Sequence, residues 1–231
     1  EASIRTLTRH VAGENVKKSN LKRLGALPQV CEPIREIDDH LESLSGAEGD
    51  PTHLYHSGLK VLQSVLERVG AGLSPLNDEL CMIAHRVMAG PVSRLESVLG
   101  LLAGSLGREH ASSLHMARAL SQSTLSDDSR AEVMTMHHLG LMAIASEDPL
   151  RASFLFEKAA EQSSFSNKTR LTNLVAAGIS RHLVGEDEVA KSLISGASKI
   201  VAKDKESAID PLLDLARSLM GIDRPWLALE V

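Results

Sequence analysis

Ten histidines are the residues of this 231-residue chain best suited to chemistry. His53 and His56, His110 and His115, and His137 and His138 come as close pairs, and His182 stands further on. A catalytic zinc helix needs two histidines four apart, with a glutamate between them to work on the bound water. No HExxH occurs. His53 and His56 could share a helix face, but no carboxylate follows at ligand spacing. His137 and His138 point about 100° apart on a helix and cannot both reach one ion. The histidines therefore read as surface or groove residues, and no metal site is expected.

Nucleophilic and phosphate chemistry lack their motifs as well. There is no G-x-S-x-G elbow and no glycine-rich phosphate loop of either common type. Cys31 and Cys81 have no neighbouring base in sequence, and Cys81 falls on an apolar stripe with Ala84 and Met88 that reads as core. Asp38-Asp39 and Asp127-Asp128 sit at expected helix ends, where carboxylates favour the N-terminal dipole or solvate a turn. The expectation is a protein without catalytic residues or cofactor.

Composition points to helices. Hydrophobic residues make up 43% of the chain, but only three Phe, one Tyr and one Trp occur. Strands and base-stacking platforms draw on aromatic and β-branched residues, whereas Leu, Ala, Ser and Met pack helix on helix. No apolar run approaches the roughly 18–20 residues that span a bilayer. A net charge of −5 gives no global attraction to nucleic acid or acidic lipid. Two cysteines rule out a disulfide scaffold and suit a reducing compartment, so a cytoplasmic or nuclear site is expected. Glu rather than Met at position 1 suggests a processed chain or a fragment.

Charge is segregated at the start. Residues 1–28 carry Arg5, Arg9, Lys17, Lys18, Lys22 and Arg23 against Glu1 and Glu14, a local net of +4. Residues 32–50 are acidic, with Arg35 alone against seven carboxylates. Four clustered basic residues without aromatics are a weak nucleic-acid signature, so direct nucleic-acid contact is not expected. A basic helix lying on an acidic one accounts for the pattern.

Helix signals recur along the rest. Pro33 is expected to open a helix over 34–45, and Asp50-Pro51 starts the next, broken by Gly70-Ala71-Gly72. A partner helix over 76–89 should end at Gly90-Pro91. Helices then follow over about 92–106, 108–122, 129–145, 149–163, 168–184, 186–202 and 206–220. Ser129 and Glu132 form a capping box. Breaks this short make neighbours antiparallel. Domain-like divisions follow: a charge-segregated region 1–50, a degenerate pair 51–90, three pairs over 91–203, and a capping helix and tail over 204–231.

Three of the pairs share a spacing. Leu99-Gly100 is followed by Ala119, Leu139-Gly140 by Ala159, and Ala177-Gly178 by Ala197, each alanine 19 residues after its glycine. A small residue on each of two neighbouring helices lets the backbones approach, and repetition every ~34–45 residues marks a helical solenoid. In the middle pair Ala143, Ala152 and Phe156 complete the spacing, so that 133–166 resembles a tetratricopeptide repeat. The third pair departs with Arg181 where that motif prefers an aromatic or small residue, and the first with Ser112 for alanine. An earlier pair on Gly58 and Ala84 fits only with seven extra residues in its turn.

The resemblance implies an all-α, right-handed solenoid of antiparallel helix pairs whose first helices line a concave groove. It places Arg94, Ser97 and Leu101 there from the first pair, Met134, His137, Leu141 and Ile144 from the second, and Thr172, Val175, Ile179 and His182 from the third. One branch of the family grips a peptide carboxylate with Lys, Asn and Arg. The matching places here hold Ser97, Leu101, His138, Thr172 and Ala176, so that grip is missing. An apolar groove suits an extended or helical peptide. The function expected is a non-enzymatic interaction scaffold, a subunit of a larger complex that holds a protein segment. A chaperone for a hydrophobic secreted client and the ligand-sensing module of a transcriptional regulator are the alternatives.

Overall fold

The computed structural model describes residues 28–45, 49–73, 76, 78–126, 128–203 and 215. These form eight α-helices and no strand: α1 Pro28–Ser45, α2 Pro51–Leu73, α3 Asp78–Ser105, α4 Glu109–Ser126, α5 Ser129–Ala145, α6 Pro149–Gln162, α7 Asn167–Leu183 and α8 Asp187–Lys203. None of them is long and apolar enough to cross a membrane. Two compact units result, one through Thr135 and one from Met136, with the boundary inside α5. Apart from Leu215, which is helical and buried, the expected capping helix and the Trp226 tail lie outside the described residues, as does the basic segment 1–27.

Caps fix where several helices begin. Asp50 accepts the Thr52 amide (3.0 Å) ahead of Pro51, and Asp148 accepts the Arg151 amide (3.1 Å) ahead of Pro149. Ser166 accepts the Thr169 amide to start α7. Each side chain satisfies an amide that the first helical turn leaves unpaired. At α5 the cap is Asp128, which accepts the Arg130 amide (3.0 Å), rather than the Ser129–Glu132 box.

Three expected breaks are absent. α1 begins at Pro28 and runs through Pro33, where buried Val30, Ile34 and Ile37 reward continuation. α2 continues through Gly70-Ala71-Gly72 to buried Leu73. A Cβ on Gly72 would stand 2.6 Å from Gln29 Cβ, so the glycine permits α1 to approach here. α3 passes through Gly90-Pro91 as one 28-residue helix. Gly90 leaves room for the Asp128 carboxylate, 2.7 Å from where its Cβ would be. Residues 87–93 are all buried, and that packing outweighs the cost of Pro91, whose missing N–H and ring clash together cost about 3 kcal/mol in an exposed helix interior.

The three spaced glycines behave alike. A Cβ on Gly100 would meet Met116, on Gly140 would meet Phe156, and on Gly178 would meet Ile194, each within 2.6–2.8 Å and each 16 residues on. Ser112 Oγ donates to the Gly100 carbonyl (2.7 Å), which explains a hydroxyl at that tight crossing. The turns between these helices repeat too. Arg108, Asp148 and Glu186 amides bond to the carbonyls five residues back, on Ala103, Ala143 and Arg181. The residue before each amide is left-handed: Gly107 (φ 69°), Glu147 (59°) and Gly185 (79°). Gly58 breaks the register, because its neighbours are Leu99 and His40 rather than a partner in the Ala84 region.

The core of the first unit joins Ile34 and Ile37 of α1, Leu62 and Val65 of α2, and Leu95 and Leu99 of α3. In the second unit Leu141, Phe156, Leu171 and Leu215 are the largest fully buried side chains among the described residues.

Candidate functional site

The residues assigned to a concave groove fall in both units. In the first, Arg94 donates to Asp38 (2.8 Å), and Leu101 and Met134 are half-buried. In the second, Leu141, Ile144, Val175 and Ile179 are 1%, 4%, 8% and 7% exposed, so little of any of them is open to solvent. His137 Nδ1–H donates to Asn173 Oδ1 (2.9 Å) and its ring lies 5.4 Å from that of Phe156. Burial pushes its pKa below the usual histidine value, against the Asn173 hydrogen bond that raises it. His182 is exposed and paired with Asp187 (2.7 Å). Arg181, the residue that departs from the repeat pattern, bridges Glu157 (2.7 Å) and Glu186 (2.6 Å), tying α7 to α6.

One cluster joins residues far apart in sequence. Glu96 of α3 accepts from His115 Nδ1 of α4 at 2.5 Å. His115 Nε2 then faces the Tyr55 hydroxyl of α2 at 3.1 Å, and in the neutral ring it accepts from that hydroxyl. Arg118 Nη1 approaches the second Glu96 oxygen at 3.9 Å, and the Arg108 guanidinium lies over the Tyr55 ring at 5.2 Å. A carboxylate–imidazole–phenol chain has the form of a proton relay. Tyr55, His115 and Glu96 are each 5% exposed or less, so no substrate atom reaches the phenol in this structure. The network ties three helices through satisfied buried polar groups.

An accessible site lies elsewhere in the first unit. α2, α3 and α4 enclose a cleft of about 700 Å³. Its floor is Val65, Met88, Ala89 and Val92, all buried, and its walls are Leu66, Met82 and Leu125, which are 52%, 56% and 47% exposed. Cys81 and His85 also face it. The helical spacing that puts Leu66 on the apolar stripe of α2 points to core, and the structure turns that side chain to the cleft. Likewise Cys81 is only half-buried, while Ala84 and Met88 of the same stripe are interior. Among the described residues no three His, Cys, Asp or Glu side chains are placed to share a metal ion.

Comparison of the chain with family models, with curated proteins and with solved structures returns no match.

Proposed function

We propose that this chain is a non-enzymatic protein-interaction module of tetratricopeptide-like build, a right-handed array of antiparallel helix pairs, whose docking surface is the α2–α3–α4 cleft. The equal register of Gly100, Gly140 and Gly178 against their neighbours supports the repeat reading. The observation that carries the function is the cleft itself: a concave apolar volume walled by three large, half-exposed hydrophobic side chains. Contiguous exposed apolar surface on a folded chain marks interaction sites. Two methionines give such a surface adaptable contacts. From Asp78 to Val92 the cleft follows fifteen positions of one helix, about 21 Å, which matches four turns of an amphipathic helix laid into a groove. The occupant proposed is therefore a helical segment of a protein partner, its apolar face inward.

Substituting Leu66→Asp with Met82→Asp tests this. Both side chains are more than half exposed, so helicity and melting temperature should hold while partner capture is lost. Capture unchanged by the double substitution would refute the reading.

A further inference from the structure

We infer that the second unit carries a ligand site of its own, a cleft between α7 and α8 that takes a small amphipathic carboxylate of the fatty-acid class. The cleft has a volume of about 410 Å³. Leu174 of α7 and Leu193 and Ile200 of α8, all half-buried, form its apolar floor, and the exposed side chains of Arg170 and Lys199 stand at its rim. Pockets of roughly 300–1,000 Å³, mostly apolar with a few placed polar groups, are the ordinary form of small-ligand sites.

Charge defines the ligand. The chain as a whole is acidic, at −5, yet neither 167–183 nor 189–203 contains an Asp or Glu, and the two stretches hold six Lys and Arg. Arg181 is paired with Glu157 and Glu186, and Lys191 with Glu188. Arg170 and Lys199 have no carboxylate partner among the described residues, and no acidic residue lines the cleft beside them. A guanidinium donates to both oxygens of a carboxylate, and an ammonium adds a compact point charge. The apolar floor then takes the hydrocarbon body behind that carboxylate, a surface that inorganic phosphate would leave unused.

Gly196 adds a second observation. It stands in the interior of α8, where glycine weakens a helix relative to alanine. A Cβ there would lie 3.7 Å from Leu174 Cδ1, an ordinary contact, so helix packing does not demand glycine as it does at 100, 140 and 178. The missing side chain gives depth to the cleft that Gly196 lines.

The experiment is calorimetric titration of the full chain with sodium octanoate, with octanol as the uncharged analogue. One saturable octanoate site is expected. Arg170→Gln with Lys199→Gln should weaken octanoate by about tenfold or more, through loss of charge-assisted contacts, and leave octanol as it was. Gly196→Leu, which fills the floor while favouring the helix, should weaken both. Lys60→Gln with Arg151→Gln removes two exposed cations elsewhere and should change neither. Each variant should keep the parent helicity by circular dichroism, and if the Arg170/Lys199 pair loses it, Gly196→Leu decides. The absence of saturable octanoate binding would overturn the inference. So would octanoate binding that survives the Arg170/Lys199 or Gly196 substitutions, an equal loss in the Lys60/Arg151 pair, or octanol bound as tightly as octanoate.

Discussion

At the scale of single residues, the Glu96–His115–Tyr55 chain is a structural device with a measurable value. Tyr55→Phe leaves the buried Nε2 of His115 without its partner, and should cost about 1–2 kcal/mol in urea unfolding. Glu96→Gln, which weakens the 2.5 Å contact and uncouples Arg118, should cost at least as much. His137 adds a pH dependence. Its folded pKa lies below the unfolded value of about 6.5, so the unfolded chain takes up the proton first and stability falls as pH drops below that value. His40, also lowered by burial, acts in the same direction. Melting temperature should therefore decline from pH 7 toward pH 5, and His137→Gln should flatten part of the decline. None of the polar cluster was legible in the sequence, because its members are 60 and 19 residues apart and no local pattern joins them.

At the scale of helices, the repeat register carries the predictions. Gly140→Ala drives a Cβ to 2.6 Å from the ring of Phe156, which is fully buried and cannot retreat. Overpacking of this kind should cost about 1–3 kcal/mol, and an unchanged midpoint would count against the alignment of the repeats. Glu147 holds the left-handed position that glycine holds at 107 and 185. Glu147→Gly should thus stabilise the chain by about 0.5–1 kcal/mol, the relief of an L side chain in that conformation less the entropy glycine adds to the unfolded state. Helices α5 to α8 were legible to within a residue at each end, because Pro149 stands at the start of α6 and Gly185 in the break before α8. The breaks expected at Gly72 and Gly90-Pro91 failed for a tertiary reason. Glycine there serves close approach by Gln29 and Asp128, which single-sequence propensity cannot distinguish from punctuation.

For the molecule as a whole, burial divides the apolar residues into those that hold the fold and those left open. Leu141 and Ile179 satisfy the helical spacing of a groove face yet are covered, so Leu141→Glu with Ile179→Glu should unfold the second unit by burying two carboxylates. Leu66, Met82 and Leu125 are open. Period alone marks a helix as amphipathic without saying which side chains another helix covers, which is why the cleft escaped the sequence. Leu150 and Phe154 on α6 are exposed to a similar degree, at 55% and 58%, and they provide a fair comparison surface. The most direct test places a photo-crosslinking residue at Met82 in one chain and at Leu150 in another, and sequences whatever peptide becomes attached in the presence of the captured partner. The cleft predicts adducts from position 82 to one amphipathic helical segment, and none of that peptide from position 150. Adducts concentrated at 150 while 82 stays unmodified would contradict it.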